Sequence, residues 1–365
     1  MKGDKLRIAL IFGGRSAEHE VSLRSARSIF EALDKEKYHV IPVLITTDGA
    51  WYTRPAEASS FDSGTNLIEG DRLIVSPDPS HKGFLHVLDG GRVEPMAVDA
   101  VFPALHGTFG EDGTVQGLLE MANLAYVGCG VLASAVGMDK VIMKAAFRDM
   151  GLNVGPFFWF LRSEWRQDPQ QILEKLRSSR FPVFIKPANL GSSVGISRVT
   201  DPSDFQEAVD LAASYDRKIL VEDSIGGREL EVSVLGNDNP VASKPGEVIA
   251  HGNFYDYDEK YLRDTTEFKI PAELPPDIME SAGRAAVTAF RAVDGSGLAR
   301  VDLFLTEDNR IIVNEINTLP GFTSISMYPK LWEVSGLSYS QLLDRLVELA
   351  LERHRDRQNI QTSRN

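Results

Sequence analysis

A chain of 365 residues, 43% hydrophobic and 25% charged, has the composition of an ordinary globular protein and exceeds one hydrophobic core, so two or three domains are expected. Its formal net charge of -13 argues against a nucleic-acid binder, because no broad excess of lysine and arginine is there to neutralise phosphates; a local basic pocket for one nucleotide is compatible with it. The single cysteine, Cys129, excludes an intramolecular disulfide framework and fits a reducing compartment.

The opening MKGDKLRIALIFGG runs straight into a strand instead of a signal sequence, and no apolar run approaches the roughly 18 residues of a membrane span, so a cytoplasmic protein is expected. Leu6–Phe12 reads as an apolar strand and Gly13-Gly14 as a turn. Leu23, Ala26, Phe30 and Leu33 then form a helical stripe before a strand from His39 to Thr46, which together make a βαβ opening. Gly13-Gly14-Arg15-Ser16 lacks the GxGxxG arrangement, which counts against a nicotinamide oxidoreductase. Glu18 and Glu20 stand just before the helix, where carboxylates complement its dipole. A polar, Pro- and Gly-punctuated stretch from Trp51 to Pro95 decorates this first part, and Ala100–Leu105 returns to it as a strand ending at His106. Cys129, in the Gly-rich YVGCG segment, is read as a small packed residue rather than a nucleophile.

Residues 131–220 form the expected second part, with a helix at Met138–Met150, strands around Phe157–Phe160 and Pro182–Lys186, and a loop from Ala188 to Gly195. That loop brings backbone N–H groups and the hydroxyls of Ser192 and Ser193 within reach of a phosphate, although a hairpin with glycines at strained positions has the same signature. It is not a P-loop, since GxxxxGK[ST] is absent and a strand follows. Lys186 and Lys140 are the cations placed to meet phosphate.

The third part, 221–353, opens where Glu222 closes the apolar strand Lys218–Val221 and Glu229 begins the next after Gly226-Gly227. An adenosine site needs an apolar slot and a carboxylate on the sugar, which Glu222, Asp223 and Ile225 near the base and Glu229 on the ribose would supply; exposed strand-end acids are the alternative. A polar segment from Gly252 to Lys269 follows, then a helix carrying Ala282, Ala285, Ala286, Ala289, Phe290 and Val293. The stretch LARVDLFLTEDNRIIVNEIN reads as a hairpin around Glu307-Asp308-Asn309. Side chains at i and i+2 of a strand share a face, so Arg300 and Asp302 lie with Glu315 and Asn317, while Val301, Leu303, Ile312 and Ile316 suit a core beneath them. Two carboxylates and an amide are hard oxygen donors of the kind Mg²⁺ takes, although an exposed hairpin with surface charges has the same pattern. The capping box Ser338–Gln341 introduces a closing helix, and 354–365 is a polar tail expected to fray.

The segments GGRSAEHEVS, HGTFGEDGTVQG, MDK, FIKPANLGSSVG, FYDYDEKY, ARVD and NEINTLPGFTSIS, in this order, resemble the D-alanine:D-alanine ligases of the ATP-grasp superfamily. The resemblance runs from about Leu6 to about Ala350. It implies an α/β protein of three-domain ATP-grasp architecture whose N-terminal domain, 1–130, is Rossmann-like, with 131–220 and 221–353 forming the ATP-grasp unit. Asp302, Glu315 and Asn317 then match magnesium ligands (Mn²⁺ being a substitute), and Arg300 matches the arginine on the transferred phosphate and developing oxyanion. Lys140, Lys186, Glu222, Asp223, Ile225 and Glu229 match ATP-contacting positions, with Asp223 standing where some relatives have lysine. Glu18 matches the acid that holds the ammonium of the first D-alanine, Ser192 and Tyr261 its hydrogen-bonding companions, and His106 a residue lining that subsite. Gly321 and Ser326 match contacts to the carboxylate of the second D-alanine, while Tyr255, Lys260 and Tyr261 lie in a loop that the family moves over the site. The implied reaction is ATP-dependent joining of two D-alanines for peptidoglycan precursor synthesis by a homodimer. The alternatives are a D-alanyl-D-lactate or D-alanyl-D-serine ligase on the same scaffold, or a nucleotide-binding regulator without catalysis; the lid around Tyr261 matches the dipeptide type.

Overall fold

A computed structural model describes residues 4–62, 70–191, 194–249 and 267–361. The strand β1 (Leu6–Gly13) is apolar and buried along most of its length, as a strand covered on both faces must be. It pairs in parallel with β2 (Tyr38–Ile45) and β7 (Ala100–Ala104), and the helix α1 (His19–Ala32) makes the crossover between β1 and β2. The decorating stretch extends the same sheet through β3 (Trp51–Thr53), β4 (Arg72–Val75), β5 (Gly83–Val87) and β6 (Val93–Ala97), in the order β6-β5-β4-β3-β2-β1-β7. α2 (Thr114–Met121) follows this sheet.

Two helices, α3 (Val131–Met138) and α4 (Lys140–Asp149), lead to the central strands. Asp139 caps α4 by accepting from the amides of Val141 and Ile142 at 3.0 and 3.1 Å. The central sheet joins β8 (Phe157–Leu161), β9 (Val183–Pro187), β10 (Ser197–Val199) and β11 (Lys218–Asp223), all antiparallel, in the order β10-β9-β11-β8. One of its faces is covered by α5 (Arg162–Gln167), α6 (Pro169–Leu176) and α7 (Phe205–Tyr215), through Trp165, Ile172, Phe205 and Val209.

The third sheet contains β12 (Arg228–Gly236), β13 (Val241–Ala242), β14 (Gly246–Ile249), β15 (Glu267–Lys269), β16 (Gly297–Leu305) and β17 (Ile311–Asn317). The order is β15-β14-β12-β16-β17, with β13 beside β12. The alanine-rich α8 (Pro276–Ala292) packs Ala282, Ala286, Ala289 and Phe290 beneath it. Met143 and Phe147 of α4 and Ala133 of α3 belong to this same core. These two helices, grouped by the sequence with the central strands, therefore pack with the C-terminal sheet. Val141 of α4 packs on Ala188 and on Leu220 of the central sheet, so α4 touches both sheets.

The last helices are α9 (Met327–Val334) and α10 (Tyr339–Gln358), the latter opened by the expected capping box of Ser338 and Gln341. Leu342, Leu343, Leu346 and Leu349 of α10 are buried against Ile8, Leu10, Phe102 and their neighbours, so the end of the chain closes the core of the first sheet. Each such leucine contributes roughly 1.5–3 kcal/mol by burial. This packing fixes the N-terminal domain beside the C-terminal sheet, which is what brings residues far apart in sequence to one cleft.

Candidate active site

The six-stranded sheet builds one wall. Its pairing sets two rows across β12, β16 and β17: Glu231 opposite Asp302 opposite Glu315, and Ser233 opposite Arg300 opposite Asn317. The hairpin thus holds Arg300, Asp302, Glu315 and Asn317 together as the i, i+2 spacing predicts, and Asn309 turns it at a φ of 60°. One expectation fails. Asp302 pairs with Glu315 but Leu303 pairs with Val313, so Asn314 is an extra residue, a β-bulge. The slip shifts the inward face of β17: Val313 joins Val301, Leu303 and Ile316 in the core beneath the sheet, while Ile312, also buried, lies outside that cluster.

Arg300 donates to both oxygens of Asp302 at 2.7 Å each and lies 3.2 Å from Glu231. Against the desolvation that burial imposes, Asp302 and Glu231 hold its pKa well above the ordinary arginine range, so the guanidinium keeps its charge. Among the described residues no three His, Cys, Asp or Glu side chains are grouped as a metal centre. The oxygen donors gathered on this face are instead the carboxylates of Asp302 and Glu315 and the amide oxygen of Asn317, which also accepts from the Leu319 amide at 3.0 Å. A hard, oxygen-only set on one sheet face suits a small divalent cation that keeps places for water and phosphate.

The facing wall carries cations. Glu222 on β11 is buried, with one oxygen 2.8 Å from Lys144 and the other 2.6 Å from Lys186 on β9. Although burial opposes ionisation, these two ammonium groups hold Glu222 well below the usual carboxylate range. In return, and again against burial, Glu222 and Glu315 raise Lys186, with Glu229 adding to the field. Lys140, also buried, donates to the Leu190 carbonyl at 2.8 Å and lies 3.9 Å from Glu315; burial lowers its pKa despite that carboxylate. Glu222, which the sequence reading sets beside a base, is therefore turned onto the lysines. The carboxylate of Asp223 accepts from the Arg180 amide at 3.2 Å, and Ile225 packs so closely on Gly155 that a Cβ there would come within 2.6 Å of it.

The amino-terminal end supplies a third group. Glu18 is buried, and its Oε2 stands 2.7 Å from where a Cβ on Gly107 would lie and 3.9 Å from the same position on Gly191. Gly107 has a φ of 69°, so glycine is needed there for both conformation and space. His106, expected to line this subsite, has its ring occupied inside the protein: Nε2 is 3.0 Å from Ser25 Oγ and Nδ1 is 3.5 Å from Glu111. Ser25 Oγ also receives the Phe322 amide at 3.4 Å, tying α1 to the loop of Gly321 and Ser326. Ser326 Oγ accepts from the Thr323 amide at 2.9 Å and leaves no room for a side chain on Gly321. Ser192, Ser193, Tyr255, Lys260 and Tyr261 lie outside the described residues, as does most of the expected lid.

Two participants escape a reading by motif. Lys144 stands four residues after Lys140 on α4, the spacing that puts both on one helix face, and Glu231 stands two residues after Glu229 on β12. Periodicity carried out from the lysine and glutamate already singled out would have found them.

Comparison with known proteins agrees with this arrangement. Residues 7–129 match the family model for the D-ala D-ala ligase N-terminus, and residues 146–348 match that for the D-ala D-ala ligase C-terminus. The chain is 48% identical over 360 residues to a D-alanine--D-alanine ligase of Natranaerobius thermophilus, covering 98% of each chain. It is 49% identical over 362 residues to that of Heliobacterium modesticaldum, covering 99% of this chain and 98% of the relative. The solved D-alanine-D-alanine ligase from Coxiella burnetii superposes with a TM-score of 0.86 at 38% identity, over 98% of this chain and 97% of that one. The VanG D-Ala:D-Ser ligase from Enterococcus faecalis also gives 0.86, at 37% identity, over 95% of this chain and 100% of its own.

Proposed function

The chain belongs to the D-alanine–D-alanine ligase family, and from that membership and the ATP-grasp fold we infer that it joins two D-alanines with conversion of ATP to ADP and phosphate. The observation that carries this reading is the pair of facing walls: Lys140, buried, and Lys186, partly so, on one side, and the rows of Arg300, Asp302, Glu315 and Asn317 on the other.

A carboxylate is a poor electrophile, because its charge repels a nucleophile and oxide does not leave. Transfer of the γ-phosphoryl group to the carboxylate of the first D-alanine forms an acyl phosphate and releases ADP. The amine of the second D-alanine then attacks the carbonyl carbon, and the C–O bond to phosphate breaks as the peptide bond forms, with loss of the amine proton. Lys140 and Lys186 neutralise the phosphates before transfer, and Arg300 stabilises the charge on the transferred group and on the tetrahedral oxyanion. Glu18 holds the first ammonium, and the Gly321–Ser326 loop receives the second carboxylate. Asp223, Ile225 and Glu229 are assigned to the nucleoside end, and Glu222 acts on ATP through Lys186. Asp302, Glu315 and Asn317 would hold Mg²⁺, which when bound screens the phosphate oxygens and orients them. Ser192, Ser193, Tyr255, Lys260 and Tyr261 are proposed to close over the acyl phosphate and keep water from it. A homodimer in the cytoplasm is proposed with this function; among the described residues no helix is long and apolar enough to cross a membrane.

The test is phosphate release from MgATP with D-alanine, L-alanine, D-serine or D-lactate, with products identified by mass spectrometry. D-alanyl-D-alanine formed in step with phosphate is the expected outcome. A mixed dipeptide in preference to it would favour the second reading, a D-serine acceptor, which the similarity to the VanG ligase keeps in view. Tight nucleotide binding without any product would overturn both.

A further inference from the structure

Lys144 has no part in the reaction as described, yet it is among the most buried charged residues of the chain, 2% exposed on the buried side of a helix that also carries Lys140, Val141, Met143 and Phe147. Burying an ammonium group is costly unless it is paired and hydrogen-bonded, so such a residue is there for its bonds. Lys144 makes two. One goes to Glu222 of the central sheet at 2.8 Å. The other is donated to the main-chain carbonyl of Asn314 at 2.9 Å, on the C-terminal sheet.

Asn314 is the bulge residue, and the bulge decides where Glu315 points. With strict alternation along β17, Val313 and Glu315 would share a face, and Glu315 would turn into the core that holds Val301 and Leu303. The extra residue lets Val313 and Ile316 both face inward while Glu315 and Asn317 face the cleft. A bulge takes backbone groups off the ladder, and those groups need partners. Helix α4 supplies them from adjacent positions: Lys144 Nζ to the Asn314 carbonyl, and Met143 Sδ receiving the Ile316 amide at 3.4 Å.

We propose that Lys144 is a positioning residue for the metal-binding carboxylate: by holding the Asn314 carbonyl it keeps the bulge in register and Glu315 aimed into the cleft. Lys186 makes its own contact with Glu222 at 2.6 Å, separate from that of Lys144 at 2.8 Å. The proposal rests on the reading of Asp302, Glu315 and Asn317 as metal ligands.

The experiment is a titration of the native protein and of Lys144→Met with Mn²⁺ in the presence of ADP, followed by electron paramagnetic resonance, beside calorimetry of ADP binding in EDTA. Loss of a group that orients a ligand weakens metal binding about 10–100-fold, and that fall is expected for Lys144→Met, with metal-free ADP affinity changed less than about threefold. Lys144→Gln, whose amide still donates to the carbonyl, is expected to bind Mn²⁺ within about threefold of native and carries the test if the methionine variant does not fold. A folded Lys144→Met that binds Mn²⁺ within about twofold of native, a folded Lys144→Gln that binds it more than about tenfold more weakly than native, or either variant losing ADP but not Mn²⁺, overturns the role of Lys144 and leaves the metal reading intact. A native protein that binds no Mn²⁺ beside ADP overturns the metal reading, and this inference with it.

Discussion

Replacing Glu222 by glutamine tests the charge arrangement of the cleft most directly. The carboxylate sits between Lys144 at 2.8 Å and Lys186 at 2.6 Å, with Glu222 and Lys144 buried and Lys186 mostly so. Glutamine keeps the volume and removes the charge, leaving two ammonium groups close together with no anion between them. Removing one partner of a buried ion pair costs about 3–5 kcal/mol, because the surviving charge stays desolvated. For a chain of this size that corresponds to a fall in melting temperature of roughly 4–7 °C. The sign of the pH dependence is fixed by the direction of the shift. Glu222 is held below its ordinary pKa in the folded state by its lysines, so its contribution is complete above the unfolded carboxylate range and is lost as pH falls through the folded value. The gap between native and Glu222→Gln melting temperatures, read by differential scanning calorimetry without nucleotide, is therefore widest above about pH 5 and narrows toward acid. A gap under about 2 °C at neutral pH, or one that widens as pH falls, would refute the reasoning.

Arg300→Ala should lower kcat by about 100-fold or more while nucleotide affinity changes much less, since its charge matters most when the phosphoryl group is in transit; steady-state rates and ATP calorimetry decide, and equal losses in both would remove that role. Gly107→Ala forces a side chain into a left-handed conformation at 2.7 Å from Glu18 Oε2, a strain of about 1–3 kcal/mol, and should raise the constant for the first D-alanine more than that for ATP. Initial-rate kinetics at varied D-alanine separates the two effects, and a parallel rise in both constants would count against it. Burial pushes the Cys129 thiol up to about 11, and its Sγ donates to the Leu298 carbonyl at 3.3 Å. The native protein should therefore not react with a thiol reagent at pH 8 and should show one reactive thiol after denaturation, so rapid labelling of the folded chain would contradict the packing.

Much of this molecule is legible in one dimension. The β1 run and the stripe of α1 specify the βαβ opening, Ser338 and Gln341 specify where the last helix starts, and the i, i+2 spacing puts Arg300 with Asp302 and Glu315 with Asn317. These follow from periods of 2 and 3.6 and from local capping, which a chain carries wherever it is folded. Tertiary structure decided the rest. Strict alternation sets Ile312 beside Ile316, but the bulge at Asn314 gives that place to Val313 and leaves Ile312 buried outside the cluster, and the groups that hold the bulge come from α4, about 170 residues earlier. Glu222 looks in sequence like a strand-end acid beside a base, and becomes the anion of two lysines only because α4 and β9 meet over it. Helices α3 and α4 carry an apolar stripe that does not state which sheet it will cover, and His106 shows in sequence no sign of the serine and glutamate that occupy its ring. A residue's periodicity is its own, whereas its partners are set by how distant segments pack, and no local pattern encodes that.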